Sequence, residues 1–471
     1  MVYDPRQALF FAERRPFFLD GTELFNAPNQ LVYTRRIVQP EAAVKLTGTT
    51  LGLNVGLLSA VDSRLGSRLG TDNPIYNILR LQRDIGKQSR IGMVYTDKMD
   101  GRDFNRVGAL DARLVFAKVW ALQVQAAGSV TERAGSRSTA PLWDLQLNSN
   151  ARVWRSRNSF RGISRNFSAQ SGFIGRLGIV QAVSNNSITL YGKPGALLET
   201  YTPGIRLDGL WQYEKFTRGD PWQDWKIHLT QAARLRGGWN VGLSAFIESF
   251  GYDSLLYRNY FTEQPRLGGG LDTVPYTGTP RLPNFDILLR AETPQFSSFS
   301  FNGTFIYGKD ENFFEWSSAT IGVMDLGMSV RPTDKLRVNL TYVGQYYWRK
   351  TDGTRVAVNH IPRVKLEYQA ARFAFLRVVS QYVFNDVDAL RDDSRTDAPI
   401  LIRSGSSFTR AVARRDQSLR TDVLFSLQPN PGTVFFLGYG QSLEAPDALR
   451  EPSLRRTNDG FFTKLSYLFR L

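Results

Sequence analysis

The chain has 471 residues, a formal net charge of +16 and no cysteine. The lack of cysteine excludes disulfides, thiolate metal sites and cysteine nucleophiles. No stretch approaches the ~20 consecutive apolar residues of a membrane-spanning helix, so a helical membrane protein is excluded. A basic chain often binds nucleic acid, but here the charges are spread along the chain, so no nucleic-acid partner is expected.

Alternation of apolar and polar residues, the period of a two-faced strand, recurs along the chain. It is clearest in residues 335–349, where the even positions are apolar or aromatic and most odd positions are polar, and in residues 225–236. The longest runs reach about 14 residues, beyond the five or six of a typical soluble strand. A tilted membrane strand needs roughly 9–11. Similar runs lie at residues 110–116, 120–126, 205–213, 239–247, 373–384 and 419–427.

These runs predict an all-β fold, a transmembrane antiparallel β-barrel of about 20 strands (18–22) formed by residues 41–471. Turn-rich joints lie at residues 331–335 and 428–432, and longer polar joints at about 252–283 and 386–417. Short turns on one rim and long loops on the other are typical of barrels in the bacterial outer membrane. We therefore expect the polar loop 386–417 to be extracellular and solvated.

The C-terminus ends on a further alternating run, in which Leu465, Tyr467, Phe469 and Leu471 share one face. Such an ending is similar to the closing strand that the barrel-assembly machinery recognises, although the usual last residue is Phe. The expected partners are this machinery, outer-membrane lipid and lipopolysaccharide. Four arginines are candidates for contact with lipopolysaccharide phosphates, or belong to a solvated loop: Arg410, Arg414, Arg415 and Arg420.

Residues 1–40 do not alternate, and we interpret them as a plug-like or rim segment. They are rich in aromatic residues and carry charges that need partners if buried, namely Glu13, Arg14, Arg15, Arg35 and Arg36. We expect salt bridges from these charges to residues of the barrel interior. The alternative is a solvated periplasmic tail.

Two motifs in this segment resemble motifs of a known protein family. They are FFAERRPFFLDG at residues 10–21 and LVYTRRIV at residues 31–38. They resemble FFPEKRPFFLEG and LFYSRRIG of a bacterial outer-membrane barrel family of undefined function. Departures include Ala12, Arg14 and Asp20 in the first motif, and Val32, Thr34 and Val38 in the second. AVKLTG at residues 43–48 and NRVGALD at residues 105–111 also look like that family.

In the family, a signal peptide and a carbohydrate-binding family 9-like domain usually precede the barrel. The resemblance thus implies that the start of the native gene product is missing here, since neither segment is visible in this sequence. Some members are described as hydrolase-like because of that domain, and this implication does not transfer to the residues present.

The histidines offer little support for catalysis. His228 lies on the polar face of its run and is a weak candidate for a general base, with a lumen-lining role as the alternative. His360 is expected near a strand start or a rim, because a proline follows two residues later. No cofactor and no metal site are predicted, because the acidic residues Asp386, Asp388, Asp392 and Asp393 lack calcium-loop spacing.

The polar faces of the strands carry many cations. The residues expected to line the lumen are Arg206, Lys226, His228, Arg234, Arg236, Arg337, Arg349 and Arg377. Rings of Arg and Lys favour anions in a pore, so a cationic lumen is predicted. Alternatively, these cations are paired with acids such as Asp208 and Glu248, or with the first forty residues, which leaves no open channel.

The sequence is compatible with three functions. The leading one is an outer-membrane channel or transport/export pore with no covalent catalysis. The second is a barrel-embedded hydrolase acting on glycans or lipids, with His228 as the base. The third is a structural or docking barrel for a missing N-terminal sugar-binding domain. The sequence does not identify the cargo.

Overall fold

The chain is almost entirely β-structure in the computed structural model, which describes residues 5–430 and 432–467. Within these residues, twenty-two strands belong to one antiparallel sheet and four to a second sheet. The predicted all-β, antiparallel architecture is confirmed. The strand number falls at the upper end of the predicted range, and it includes one strand of two residues.

The first strands are β1 (Pro40–Thr50), β2 (Leu53–Asp62), β3 (Ile75–Ile85), β4 (Ser89–Asp100), β5 (Asp103–Phe116), β6 (Trp120–Arg133), β7 (Ser136–Asn150), β8 (Trp154–Ile163) and β9 (Ile179–Ile188). Next come β10 (Leu190–Tyr191), β11 (Leu198–Gln212), β12 (Asp224–Leu235), β13 (Trp239–Gly251), β14 (Tyr260–Pro265), β15 (Leu271–Pro275), β16 (Arg281–Glu292), β17 (Phe299–Asn312) and β18 (Ser317–Thr333). The last are β19 (Leu336–Arg349), β20 (Arg355–Ala371), β21 (Ala374–Val387), β22 (Ile400–Ser404), β23 (Ser407–Arg410), β24 (Arg414–Asn430), β25 (Thr433–Ala445) and β26 (Arg455–Ser466).

Within the described residues, helical structure is confined to short pieces. Two single turns of α-helix, α1 (Pro16–Leu19) and α2 (Tyr213–Phe216), and three 3-10 turns are formed. The 3-10 turns are Thr22–Phe25, Thr34–Arg36 and Arg64–Gly66. In the described part of the chain, no helix has the length and apolarity to cross a bilayer.

The chain divides into two compact units. The N-terminal unit contains Pro5–Thr189 and Gly204–Ile227. In it β1 to β9 pair in chain order, and β9 pairs with the second half of β11. The C-terminal unit contains Leu190–Pro203 and the residues from His228 onward. In it β13 pairs with β16, and β16 to β21 then pair in chain order, followed by β24, β25 and β26.

The alternating runs found in the sequence lie within strands. Residues 335–349 and 225–236 coincide with β19 and β12 to within one residue at each end. In β5, Val107, Ala109 and Asp111 are buried, whereas Leu110 between them is 66% exposed. Successive side chains of a strand point to opposite faces, so an apolar face is left uncovered by protein.

The structure describes the predicted turns and the predicted C-terminal strand only in part. The turn predicted at 331–335 shrinks to two residues, because β18 continues to Thr333. Pro431 of the second predicted turn lies outside the described residues, as do Phe469, Arg470 and Leu471 of the predicted closing run. The part of that run that is described belongs to β26, which ends at Ser466.

The two long joints contain strands, and the second is not the solvated loop that the sequence analysis predicted. β14 and β15 from the first joint pair with β22 and β23 from the second to form a four-stranded sheet, the loop sheet. Its core contains Tyr257, Tyr276, Trp316 and Ile400, all buried. The prediction missed the pairing of β14 with β22, because strands so distant in sequence leave no local pattern.

Candidate functional site

A polar cavity of about 1130 Å³ lies within the N-terminal unit. Its walls come from β5 to β9, the second half of β11 and parts of residues 7–30. Carboxamides dominate the lining: Gln88, Gln123, Gln146, Asn148, Gln181 and Asn185. Five arginines join them: Arg113, Arg157, Arg161, Arg176 and Arg206. Among the described lining residues, Asp144 is the only carboxylate.

The cavity follows directly from strand alternation. On β7 the residues two apart, Asp144, Gln146 and Asn148, all line it. The antiparallel register then places Arg161 of β8 beside Asp144, and Gln181 of β9 beside Arg161. The result is a row of polar side chains across neighbouring strands.

Hydrogen bonds connect this row to β11. The Arg161 guanidinium donates to Gln181 Oε1 at 2.7 Å, and Gln181 Nε2 donates to Asp208 Oδ1 at 2.9 Å. Asp208 also accepts a hydrogen bond from Arg206 at 2.7 Å. Asp208 therefore offsets the charge of Arg206, whereas Gln181 is neutral and offsets none of the charge of Arg161. The lining still contains more cations than carboxylates.

Residues 5–39 contact the strands of the N-terminal unit. The Asn29 backbone N–H donates to Gln125 Oε1 at 2.9 Å, and Asn29 Nδ2 donates to Asp144 Oδ2 at 3.1 Å. Arg6 forms a salt bridge of 2.9 Å with Asp224, and both side chains are 4% exposed. Leu31 is fully buried among core residues of β4 to β8. The segment is therefore packed and hydrogen-bonded.

The charges of the plug-like motif do not all pair as predicted. Glu13 binds Arg15 of the same segment, with Oε2 and the guanidinium 2.7 Å apart, and accepts a hydrogen bond from Thr34 at 2.7 Å. The expected bridge from Glu13 to an interior residue is therefore wrong. The Arg15 guanidinium holds the pKa of Glu13 well below its usual range.

The other arginines of the motif bind backbone carbonyls or face solvent. Arg35 donates to Ala12 O at 2.9 Å, and Arg36 donates to Gly172 O at 3.0 Å. Arg14 is exposed. Arg36 thus joins the segment to the connection between β8 and β9.

Of the eight predicted lumen residues, the structure brings only Arg206 to the cavity. Lys226 is half-buried on β12. Arg234 approaches Glu199 at 3.2 Å, and the neighbouring Arg236 donates to the backbone of Gly195 at 3.1 Å.

Two further predicted residues flank one carboxylate in the C-terminal unit. Arg337 of β19 and Arg377 of β21 lie directly opposite Glu367 of β20. Arg337 is exposed, and Arg377 is half-buried. Opposite charges in cross-strand positions attract, so these two cations contribute to a mixed-charge face.

Arg349 is buried by the turn between β17 and β18. Its guanidinium is 2.5 Å from Glu315 and 2.8 Å from Asp388, and the Arg349 and Glu315 side chains are 2% and 0% exposed. Arg349 and Glu315 thus form a buried ion pair next to the loop sheet. The interpretation of Arg349 as a lumen-lining cation did not anticipate these partners.

Three acidic residues of the second long joint lie inside the protein. Asp386, Asp392 and Asp393 are buried, which contradicts the solvated acidic loop expected from sequence. Asp386 forms salt bridges with Arg355 at 2.6 Å and with Arg415 at 3.0 Å. These two arginines offset the cost of burying the Asp386 carboxylate.

The arginines considered for lipopolysaccharide each have a carboxylate neighbour. Arg410 pairs with Glu263, Arg414 with Asp416, Arg415 with Asp386 and Arg420 with Asp422, at distances of 2.9 to 3.1 Å. Contact with lipopolysaccharide stays a prediction, because the exposed pairs of Arg410, Arg414 and Arg420 can also exchange partners.

His228 lies 2.5 Å from Glu248, with its Nε2 against the carboxylate, and packs on Phe246. In the described part of the chain, no hydroxyl group hydrogen-bonds to His228. His228 and Glu248 thus form a pair of a potential base and an acid.

His360 is held among aromatic residues. Its Nδ1 is 2.7 Å from the Tyr342 hydroxyl, and its ring lies against Tyr346 and Phe384. It lies within β20, opposite Gly344 of β19 and Phe384 of β21.

The amide lining was missed by the sequence analysis, which considered mainly charged residues. The available pattern was the alternation itself, since Gln146 and Asn148, or Gln181 and Asn185, recur at even spacing on one face. The convergence of six strands on one cavity depends on register, which the sequence does not display.

No family model matches the chain, and no curated protein matches its sequence. Among solved structures, the chain is similar to the copper transporter OprC, with 10% identity and a TM-score of 0.49 over 91% of this chain and 78% of that one. It is similar to the siderophore receptor PirA from Acinetobacter baumannii, with 9% identity and a TM-score of 0.46 over 92% of this chain and 79% of that one.

A further similarity, to a chain of the FpvAI–pyocin S2 complex, has 10% identity and a TM-score of 0.38. It covers 84% of this chain but only 59% of that chain, less than two thirds of its length. All three are remote, so function is inferred from the residues of this chain alone. The resemblance to the family with a carbohydrate-binding domain stays a prediction.

Proposed function

We propose that the chain is a transmembrane β-barrel of a Gram-negative outer membrane that passes small polar solutes, anions in preference to cations. Solutes would cross through the amide- and arginine-lined cavity, and residues 5–39 would act as the plug that restricts it. The observation that carries the proposal is the polar cavity enclosed by strands whose opposite face is apolar and exposed.

The apolar face supports insertion in lipid. A shallow surface on β2 to β6 is lined by Leu53, Leu81, Met93, Leu110 and Val124. An exposed apolar surface of this kind on a soluble protein would favour aggregation. Backbone polar groups in a bilayer must all be paired, and a sheet meets that condition only if it closes on itself. The proposal therefore includes closure of the large sheet.

The cavity lining supports a preference for anions. Arg113, Arg157 and Arg161 line it together, with Asp144 as the only carboxylate among its described residues. Arginine rings in a pore attract anions, and carboxamides can exchange hydrogen bonds with a polar solute of either charge. No cargo is assigned beyond this class.

Conductance in planar bilayers tests the proposal. The purified chain should carry current, and a potassium chloride gradient should give a reversal potential on the anion-selective side. Arg157→Gln removes a cavity cation and should move that potential toward zero. The matched control is Arg420→Gln, at an exposed pair on β24. A folded chain that selects cations, or an Arg157 variant identical to the control, would contradict the anion preference.

A variant that weakens the attachment of residues 5–39 tests the proposed role of this segment as a plug. Asp224→Asn removes the charge that holds buried Arg6, and conductance should then rise because the first residues detach more often. Asp422→Asn, at an exposed pair, should leave it unchanged. If both variants and the unaltered chain are folded but silent, a structural or docking barrel replaces the transport function.

The enzyme alternative has its own test. His228→Ala should leave any lipid- or glycan-hydrolysing activity of the preparation unchanged, because no hydroxyl nucleophile contacts His228 in the described residues. Loss of such an activity in this variant alone would favour the hydrolase.

A further inference from the structure

Two rows of polar side chains cross the strands of the cavity in the N-terminal unit. The plug-side row consists of Asp144 of β7, Arg161 of β8 and Gln181 of β9, which are in register and line the cavity. The turn-side row lies four residues further along β7, about 13 Å away, toward the turn at residues 151–153. It consists of Asn148 of β7, Arg157 of β8, Asn185 of β9 and Arg206 of β11.

The plug-side row is satisfied by groups of the protein itself. Asp144 accepts a hydrogen bond from Gln146 Nε2 at 2.9 Å. Arg161 donates to Gln181 at 2.7 Å, and Gln181 donates to Asp208 at 2.9 Å. A ligand at this row would have to displace these internal partners.

The turn-side row has free hydrogen-bonding groups. Arg157 and Asn185 are exposed and line the cavity, and Asn148 is half-buried in the cavity wall. Within the described residues, these three side chains form no hydrogen bond and no ion pair. Arg206 differs from them, because its guanidinium is held by Asp208 at 2.7 Å. The free donors and acceptors of the cavity wall are therefore concentrated around Arg157.

The strand register places these groups side by side. Arg157 lies opposite Asn148 on one side and opposite Asn185 on the other. Neighbouring strands are about 4.8 Å apart, so the three side chains occupy adjacent positions on one surface. A guanidinium fork matches two oxygens of a carboxylate or a phosphate, and a carboxamide on each side can donate to further oxygens.

The charge of the row also favours an anion. Asp208, the carboxylate next to this row, already binds Arg206 and Gln181, and no carboxylate of the described residues pairs with Arg157. A cleft that carries an excess of one charge raises the local concentration of counter-ions. An anion at Arg157 would therefore gain from the charge as well as from hydrogen bonds.

We propose that the turn-side row binds the oxyanion group of a small solute, a carboxylate or a phosphate, through Arg157, Asn148 and Asn185. Arg206, across Asn185 from Arg157, adds positive charge. This inference rests on the proposed function, because it names the class of anion that the cavity takes up and the place where the anion pauses. A halide ion has no pair of oxygens for the guanidinium fork, so it binds this row more weakly.

Calorimetric titration of the full chain, folded in detergent, tests the site with inorganic phosphate and, separately, with acetate. At least one of the two should bind at a single saturable site, and chloride should bind at least tenfold more weakly than that ligand. Binding of both assigns the site to oxyanions in general, whereas binding of one alone assigns it to that group. If neither binds with a dissociation constant below about 10 mM, the proposal is wrong.

Variants distinguish a built site from the general charge of the cavity. Arg157→Gln should weaken binding at least tenfold, and the neutral change Asn185→Ala should weaken it at least threefold. The matched control is Arg113→Gln, which removes the same charge from the cavity wall three strands away on β5 and should weaken binding less than threefold. Equal losses for the two arginine variants, with no loss for Asn185→Ala, would contradict the site.

Arg157→Lys separates this inference from the proposed function. Lysine keeps the charge but lacks the fork, so the anion-selective reversal potential should stay unchanged while oxyanion binding weakens at least threefold. Oxyanion binding by a folded chain that carries no current would support the site and contradict the transport function. A chain that conducts anions without saturable oxyanion binding would support the transport function and contradict the site.

Discussion

The buried pair Arg349–Glu315 shows how one residue can decide local stability. Glu315→Gln would leave the guanidinium, 2% exposed, with only the half-exposed Asp388 as a charged partner. Removing one member of a buried pair costs about 3–5 kcal/mol, so the variant should lose roughly 3 kcal/mol of unfolding free energy. Urea unfolding of the chain folded into lipid vesicles measures this loss.

Glu367→Gln is the matched control for that substitution. Glu367 pairs with Lys365 at 2.7 Å, and both side chains are 31% exposed. A half-exposed pair contributes about 0–1 kcal/mol, so this change should be small. Equal losses in the two variants would show that the burial of Glu315 does not matter.

Glu13 makes the attachment of residues 5–39 sensitive to acid. Its pKa is depressed chiefly by Arg15 in the folded chain. A depressed carboxyl pKa contributes stability that is full above the usual value of about 4.3 and is lost as the pH falls below it. The segment should therefore become more mobile on acidification from pH 7 to pH 3.

A spin label reports this mobility, and the absence of native cysteine allows a single site, Leu9→Cys, on an exposed residue. The label should gain mobility below about pH 4. In the Glu13→Gln background the mobility should be the same at both pH values, because the titrating group is gone. A transition of the same size in both proteins would assign the acid effect to another carboxyl group.

At the scale of elements, the loop sheet should unfold as one unit. Trp316 is fully buried in its core, and its indole N–H donates to Thr279 O at 2.7 Å. Trp316→Ala should cost about 3–5 kcal/mol, enough to open the sheet without unfolding the long strands. Limited proteolysis should then cut residues 252–280 and 388–413 together, since β14 pairs with β22.

Phe408→Ala is the control for the loop sheet, because Phe408 is 44% exposed and should tolerate truncation. Proteolysis of one joint while the other stays resistant would contradict a cooperative unit.

The elements also show what a sequence can and cannot predict here. β19 and β12 were predicted to within a residue, because a strand with one apolar face records its period in its own residues. β14 and β22 were missed, because each is short and is stabilised by a partner more than a hundred positions away.

For the whole molecule, the two faces of the strands are expected to contact different surroundings, lipid on one side and water on the other. Leu110 of β5 lies beside Met93 and Ala126 on the exposed apolar face. Gln123 of β6 lies on the cavity face of the same unit. If lipid covers the first face and water fills the cavity, arginine should be rejected at one position and accepted at the other.

Leu110→Arg should therefore lower the unfolding free energy in lipid vesicles by about 2–4 kcal/mol, the cost of an arginine on the lipid face near the bilayer midplane. Gln123→Arg should change it by less than about 1 kcal/mol, because the cavity is already lined by arginine and amide groups. Urea titrations of both variants under identical conditions give the comparison. Equal effects, or a chain that is folded and monodisperse in water without detergent or lipid, would mean that the apolar face meets something other than a membrane.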